Sequence, residues 1–309
     1  MSHHRSTIPQ PWPTSARFDD GGLEVAGIAA SELARAFGTP LQVIDEEGVR
    51  LQSRAFATAF DTALYAVKAL TSRRLILVVA EEGLGALAAS GGELRAALEA
   101  GVPPDRLALH GNNKDDDELR LAVGAGVGLV ICDNTYELER LSSIASGAGV
   151  RQPILLRVIP SISAGAHPWI ETGGDDSKFG MTPDEAISVF RHASAAPGIV
   201  PVGVHTHVGS QIDSARPFLS AVDALVDLAS RAAEATGTAP RRFDIGGGFP
   251  ARYVDEETLE IATIAGAVSS RLRDGLARRG LPPGELIVEP GRAIVANAGI
   301  TLYRVGSVK

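Results

Sequence analysis

A few short segments carry residue types that do chemistry. In YAVKAL, Lys68 stands at the end of an apolar run. An amine among apolar neighbours is held partly out of water, which favours its neutral form, a nucleophile toward carbonyls. The competing reading is a solvated surface lysine. In DIGGGFP, Asp244 to Pro250, three glycines follow another apolar run. Gly246, Gly247 and Gly248 offer backbone N–H groups with no side chain in the way, and phosphate is the natural guest at such a turn. A plain tight turn explains them equally well. In VEPGRA, Glu289 is an acid able to hold a proton on a heterocyclic nitrogen, and Arg292 offers a planar fork suited to phosphate or carboxylate. An ordinary Glu289–Arg292 ion pair would account for the same residues.

GVHTHVGSQ places His205 and His207 two apart, on the same side if they lie on a strand. Paired histidines are typical metal ligands. The other histidines (His3, His4, His110, His167 and His192) bring no carboxylate in a matching ligand pattern, so metal is the weaker reading. The stronger one lays an imidazole face on a flat cofactor, with Gly209 and Ser210 adding small donors. His205 alone reads best as a hydrogen-bonded core histidine. In HGNNKDDDEL, His110 and Asn112 are candidates to line a pocket, while Asp115 to Glu118 read as first-turn acids on a solvated face. HPWIETGGDDSKFGM is a long glycine-containing loop of the kind that carries function.

These residues need a scaffold, and the alternation of short apolar runs with Ala/Leu-rich helical stretches supplies one. The runs are Leu64–Val67, Ala86–Ala89, Leu107–His110, Gly128–Cys132, Ile154–Ile159, Val202–His207, Phe243–Ile245 and Leu286–Glu289. Eight βα repeats predict a TIM (β/α)8 barrel rather than an open sheet. Lys68, Ser90, His110, Asp133, Arg157, His207, Gly246 and Glu289 each fall at the end of a run, the rim where barrel active sites are built. The division expected is a flexible leader and packing segment over 1–38, a barrel over 39–295, and the start of a further β-rich domain over 296–309. GTPLQVIDEEGVRLQSRAFATAF reads as a strand then a helix. TLYRVGSVK has strand character with nothing following it to pair with.

The composition is that of a globular α/β protein: 309 residues, 45% hydrophobic, 21% charged, net charge −8. The acidity and the lack of a basic run argue against nucleic acid. No stretch reaches the roughly 20 apolar residues that span a bilayer, and the N-terminus lacks a hydrophobic signal core. The single cysteine, Cys132, excludes a disulfide within the chain and fits a reducing, cytoplasmic setting as a small buried hydrophobe.

YAVKAL, SGGEL, HGNNK, ETGGDDSKFG, GVHTHVGSQI, DIGGGFP and EPGRA, in this order from about Thr39 to Lys309, together resemble the pyridoxal-phosphate-dependent decarboxylases of the alanine-racemase-like barrel, and most closely the diaminopimelate decarboxylases. The resemblance implies pyridoxal 5'-phosphate as cofactor and Lys68 as its Schiff-base lysine. His207 would stack on the ring. Ser210, Gly246 to Gly248, Gly291 and Arg292 would hold the phosphate region, and Glu289 would pair with the ring nitrogen. Arg292 would also touch the substrate. It further implies decarboxylation of meso-2,6-diaminopimelate to L-lysine, with ornithine or arginine decarboxylation, or a non-catalytic cofactor-holding barrel, as alternatives. A metal-dependent hydrolase built on His205 and His207 ranks below these. The family's partner is a small amino acid, its assembly a head-to-tail homodimer. Three departures stand out: Leu87 where the family usually has an acid, Asp115 where it has Ser, and no counterpart of its C-terminal β-domain. That domain supplies a catalytic Cys, a role Cys132 does not inherit, so the chain by itself is expected to be a poor enzyme.

Overall fold

Parallel strands buried on both faces read as short apolar runs, and here eight such runs close on one another. The computed structural model describes residues 6–7, 11–19, 22–159, 179–254 and 260–309. The chain opens with β1 (Ser6–Thr7), β2 (Arg17–Asp19), β3 (Gly22–Val25), β4 (Ile28–Ala29), α1 (Ala30–Phe37), β5 (Leu41–Ile44) and α2 (Glu46–Ala59). The repeats follow: β6 (Thr62–Ala66), α3 (Arg73–Glu81), β7 (Gly85–Ala88), α4 (Gly91–Glu99), β8 (Leu107–Leu109), α5 (Asp116–Ala125), β9 (Leu129–Cys132), α6 (Thr135–Gly147), β10 (Gln152–Arg157) and α7 (Pro183–Ala195). Then come β11 (Ile199–His205), α8 (Ala215–Thr236), β12 (Arg242–Asp244), α9 (Ile261–Arg278), β13 (Glu285–Val288), α10 (Arg292–Val295) and β14 (Gly299–Leu302).

Strands β6 to β13 form a closed barrel in which neighbours pair in parallel, and β13 returns to β6. Each expected run is one of these strands, so the barrel expectation holds. Two apolar clusters form on its strands, one inside and one outside. Leu64, Leu87, Ala108, Leu129, Ile131, Leu155 and Ile287 form one buried cluster, the barrel filling; the larger cluster packs strands against helices. Leu87, the departure from the family's acid, belongs to the filling. Cys132 is buried, and desolvation pushes its thiol well up, as suits a core hydrophobe.

Local rules set the helix starts next to the rim. Ser90 caps α4 by accepting from Glu93 N. Asp115 caps α5 in a reciprocal box with Glu118, so Asp in place of Ser preserves the N-cap chemistry. Thr182 and Glu185 do the same for α7.

The ends differ from expectation. Of TLYRVGSVK only Thr301 and Leu302 are strand, and they do find a partner: β14 pairs antiparallel with β5, from Gly299↔Ile44 to Leu302↔Leu41, while residues 303–309 take no regular secondary structure. The two short strands satisfy each other's backbone groups, aided by Asp45 N–H donating to Ala298 O at 2.7 Å. The segment read as a flexible leader carries β1–β4, which pair in order as a small antiparallel sheet. His3, His4, His167 and the HPWIETGGDDSKFGM loop up to residue 178 lie outside the described residues. Among those described, no helix is long and apolar enough to cross a membrane.

One buried ion pair anchors the loop after β8. Lys114 Nζ donates to Gly111 O at 2.7 Å, to Ile131 O at 2.7 Å and to Glu137 Oε1 at 2.6 Å, with both side chains out of water. Removing one partner strands the other charge, at a cost of about 3–5 kcal/mol. We expect Lys114→Met to lower the unfolding free energy by roughly 3 kcal/mol in guanidinium titrations. The exposed Arg73–Glu99 pair is the control: Arg73→Ala should change it by less than about 1 kcal/mol. Equal losses in the two variants would contradict this account of Lys114.

Candidate functional site

The expected residues converge on the C-terminal rim because each follows its strand closely: Lys68, His207, Gly246 and Glu289 by one or two positions, and Gly247, Gly248, Gly291, Arg292 and Ser210 by three to five. Lys68 lies in the 3-10 turn Val67–Ala69 that succeeds β6. Ala66 N–H donates to Pro290 O at 3.0 Å, which ties this turn to the end of β13. Gly291 sits against it: a Cβ there would stand 3.1 Å from the side chains of both Ala66 and Ala69, the residues flanking Val67 and Lys68. Lys68 and Glu289 are thereby held at one place on the rim, close enough that the Lys68 charge favours ionised Glu289. Lys68 itself is exposed. The desolvation expected from its apolar neighbours is not delivered, because Ala66 and Val67 bury their own side chains in the core instead of covering the amine.

The glycine turn follows β12. Gly246 and Gly248 have φ of +71° and +99°, conformations that L side chains rarely adopt. Space is equally decisive. A Cβ on Gly246 would meet His207 Nδ1 at 2.7 Å, one on Gly247 would meet Glu289 O at 2.5 Å, and one on Gly248 would meet Gly209 O at 2.5 Å. Three loops touch through these glycines, and that closeness carries Ser210, which is exposed, alongside the turn. Two of the three N–H groups are engaged within the protein: Gly246 N–H donates to Asp244 Oδ1 at 2.8 Å and Gly247 N–H to His207 Nδ1 at 3.3 Å.

Glu289 is 7% exposed, and its Oε1 has no hydrogen-bond partner. Burial pushes its carboxyl up to about 7, opposed by a side-chain hydrogen bond with Asp244 and by the positive charges of Lys68 and Arg157. Asp244, wholly buried beside it, is pushed well up by desolvation and then by the Glu289 charge. The Glu289–Arg292 ion pair is not what forms: Arg292, exposed at the start of α10, donates to Tyr253 Oη at 2.7 Å. His207 is half-buried, and burial, with the charges of His205, Lys68 and Arg157, pushes it down to about 3. A neutral, partly open imidazole at the rim suits a ring-stacking role.

His205 is the buried, hydrogen-bonded core histidine expected, but it does not pair with His207 on one face. β11 ends at His205, so the two histidines do not share a strand face. His205 instead meets His110 edge to face, with Nε2 atoms 3.3 Å apart, and its Nε2 lies 3.3 Å from Glu289 Oε1. Those three residues, not His207, make the group whose spacing resembles a metal site. The protons argue against a metal there. Gly111 N–H donates to His110 Nδ1 at 2.8 Å, so neutral His110 carries its proton on Nε2 and has no lone pair to offer. Burial pushes both histidines down, His205 to about 4, which keeps them neutral. Asp244 and His110 belong to this site more fully than the sequence suggested. The available signal was position alone: each sits at the end of a barrel strand.

The cofactor test is a matter of fit. A buried acid with one unmatched oxygen, a neutral imidazole and a glycine turn share a rim with an exposed primary amine. This donor set accommodates a flat, phosphorylated heterocyclic aldehyde. Fold and rim together define a pyridoxal-phosphate barrel of the alanine-racemase type. A family model described as "Pyridoxal-dependent decarboxylase, pyridoxal binding domain" matches residues 46–296. Diaminopimelate decarboxylase of Corynebacterium efficiens is 39% identical over 305 residues, covering 96% of this chain and 66% of that protein. The enzyme of that name from Methanothermobacter thermautotrophicus is 42% identical over 298 residues, covering 94% and 68%. A crystal structure of diaminopimelate decarboxylase from m. jannaschii superposes with a TM-score of 0.90 at 28% identity, covering 96% of this chain and 70% of that one. The chain belongs to the pyridoxal-dependent decarboxylase family, and it spans about two thirds of the length of these relatives.

The raised carboxyl has a stability consequence with a definite sign. Glu289 titrates at about 7 in the fold against 4.5 ordinarily. Between those values the folded chain holds a proton that the unfolded chain has lost. Its contribution is complete below about pH 4.5 and disappears as pH rises through about 7. Gln keeps the neutral shape without ionising. Glu289→Gln should therefore match the parent's unfolding free energy near pH 4.5 and exceed it at pH 8 by on the order of 2 kcal/mol. A parent that is equally stable relative to the variant at both pH values would refute the buried-acid assignment.

Proposed function

We propose that this chain is the cofactor-binding barrel of an amino-acid decarboxylase that acts on meso-2,6-diaminopimelate and yields L-lysine. The observation that carries the reading is the buried Glu289 with one unmatched oxygen, tied to the Lys68 turn through the Ala66–Pro290 hydrogen bond. The substrate class rests on relatives named diaminopimelate decarboxylase and on a neighbour, TM-score 0.87 at 28% identity, crystallised "in co-complex with L-lysine".

When bound, pyridoxal 5'-phosphate supplies an electron sink for the pair released as the carboxylate bond breaks. The chain's residues hold and tune it. The Lys68 amine is the covalent anchor for the aldehyde. Glu289 faces the ring nitrogen and keeps its proton in place. His207 covers one ring face. Ser210, Gly246, Gly247, Gly248, Gly291 and Arg292 serve the phosphate region, and Arg292 also reaches the substrate carboxylate. Residues 39–295 are the cofactor-binding unit, with 1–38 and 296–309 packing outside it as parts of a β-rich region. The assembly proposed is a head-to-tail homodimer in the cytoplasm. A net charge of −8 does not favour nucleic acid as a partner.

The test is a spectrum and a substrate panel. Addition of pyridoxal 5'-phosphate to the purified chain should give an absorption band beyond the protein's own, absent in Lys68→Ala. In the assembly that contains this chain, carbon dioxide should be released from meso-diaminopimelate at least about a hundredfold faster than from ornithine or arginine, a difference of about 3 kcal/mol in barrier. An unchanged band in Lys68→Ala would overturn the anchor. Preferential turnover of ornithine would overturn the substrate.

A further inference from the structure

The acid that would face the ring nitrogen has a second acid beside it, and the pair can be taken further on the basis of the cofactor reading above. Strands β12 and β13 run in parallel with Asp244 opposite Ile287, and Glu289 N–H donates to Gly246 O at 2.9 Å, which carries the ladder past the strand ends. Ile287 belongs to the barrel filling, and side chains two apart on a strand face the same side. Asp244 and Glu289 therefore both point into the barrel, Glu289 one step nearer the rim. Asp244 is wholly buried and Glu289 nearly so. Gly246 N–H donates to Asp244 Oδ1 at 2.8 Å and orients that carboxyl. Asp244 Oδ2 and Glu289 Oε1 are buried with no donor from the chain. An ionised carboxylate only accepts hydrogen bonds, so two of them side by side cannot satisfy each other. One proton between them can, and the two side chains are within hydrogen-bonding reach.

We propose that Asp244 is a positioning residue for Glu289: the pair shares a single proton, Asp244 carries it and donates it to a Glu289 oxygen, and Glu289 is thereby held as a carboxylate for the ring N–H of the cofactor. In this arrangement Asp244 Oδ1 is the carbonyl oxygen that accepts from Gly246 N–H, and Oδ2 is the hydroxyl that donates. The surroundings decide which acid keeps the proton. Arg157 at the end of β10 and Lys68 in the turn after β6 act on Glu289 and favour its ionised form. His205, opposite Asp244 on β11, and His110, just after β8, face the pair as neutral rings. The groups acting on Asp244 are Glu289, neutral His205 and the Gly246 N–H, none of them a fixed cation. A desolvated acid beside a carboxylate keeps its proton, because ionising both would leave two like charges out of water.

The shared proton can be read by difference infrared spectroscopy of the full chain at pH 8 without cofactor. The parent should show a protonated-carboxyl stretch that Asp244→Asn removes and Glu289→Gln keeps. Cofactor binding then separates a neutral donor from an ion. Asn supplies an N–H donor and an accepting oxygen but no charge, so Asp244→Asn should bind pyridoxal 5'-phosphate within about threefold of the parent. Asp244→Leu keeps the branched shape without a donor, and should bind about tenfold more weakly. Ring-15N cofactor should report a less protonated ring nitrogen in the Leu variant and a parental one in the Asn variant. A carboxyl stretch that Glu289→Gln removes and Asp244→Asn keeps overturns the proposal, as does an Asn variant as impaired as the Leu variant. Should Asp244→Leu not fold, the infrared bands and the Asn variant decide. If the bands are as stated but the chain takes up no pyridoxal 5'-phosphate, the cofactor reading fails and the purpose proposed for the pair fails with it.

Discussion

The barrel closes where β13 lies against β6, and the site depends on that seam. Only two register pairs are made there, Ile287↔Thr62 and Val288↔Ala63, extended by Ala66 N–H donating to Pro290 O. Residues near opposite ends of the repeat are thereby placed side by side. Lys68 belongs to the first strand and Glu289 to the last, and without closure they would have no reason to meet. Gly291 makes the approach possible, because a side chain there would press on the residues flanking the lysine turn. The parallel barrel thus does more than supply a rim: its closure makes one amine and one acid neighbours.

Charge and burial act in opposite directions at this rim, which explains why neutral forms dominate it. Desolvation is the first cause of every shift at His110, His205, His207, Asp244 and Glu289. It lowers the histidines and raises the carboxyls, so each loses its charge near neutral pH. Lys68 and Arg157 lend positive charge to a place otherwise made of uncharged donors and acceptors. In such a place, hydrogen positions decide which contacts attract. The Gly111-to-His110 hydrogen bond is small in energy, but it puts the proton of neutral His110 on Nε2.

Much of this was legible in the sequence, for physical reasons that can be named. The strands were visible because parallel barrel strands are apolar on both faces, so Ile154–Ile159 and Leu286–Glu289 stand out without periodicity analysis. The rim residues were visible because a chain leaving such a strand places its first polar group there. The glycine turn was visible as a triplet. What stayed hidden depends on long-range contact. Nothing in TLYRVGSVK indicates that β14 pairs back with β5, since antiparallel partners that far apart leave no local signal. Nothing in HGNNK shows that His110 will meet His205, because β8 and β11 are not neighbours in the barrel. The apolar neighbours of Lys68 suggested a covered amine, but Ala66 and Val67 are buried in the core and the 3-10 turn after β6 leaves Lys68 outside.

The central claim is that one amine of this chain grips the cofactor at the place the barrel seam defines. Borohydride reduction of the protein mixed with pyridoxal 5'-phosphate, followed by peptide mass spectrometry, tests it most directly. Reduction freezes the bond between aldehyde and amine, so the modified residue can be read from the fragment masses. The account predicts the phosphopyridoxyl group on Lys68, at close to one per chain, in the peptide that contains YAVKAL. A label spread over the other lysines, Lys114 included, or its absence from Lys68, would contradict it.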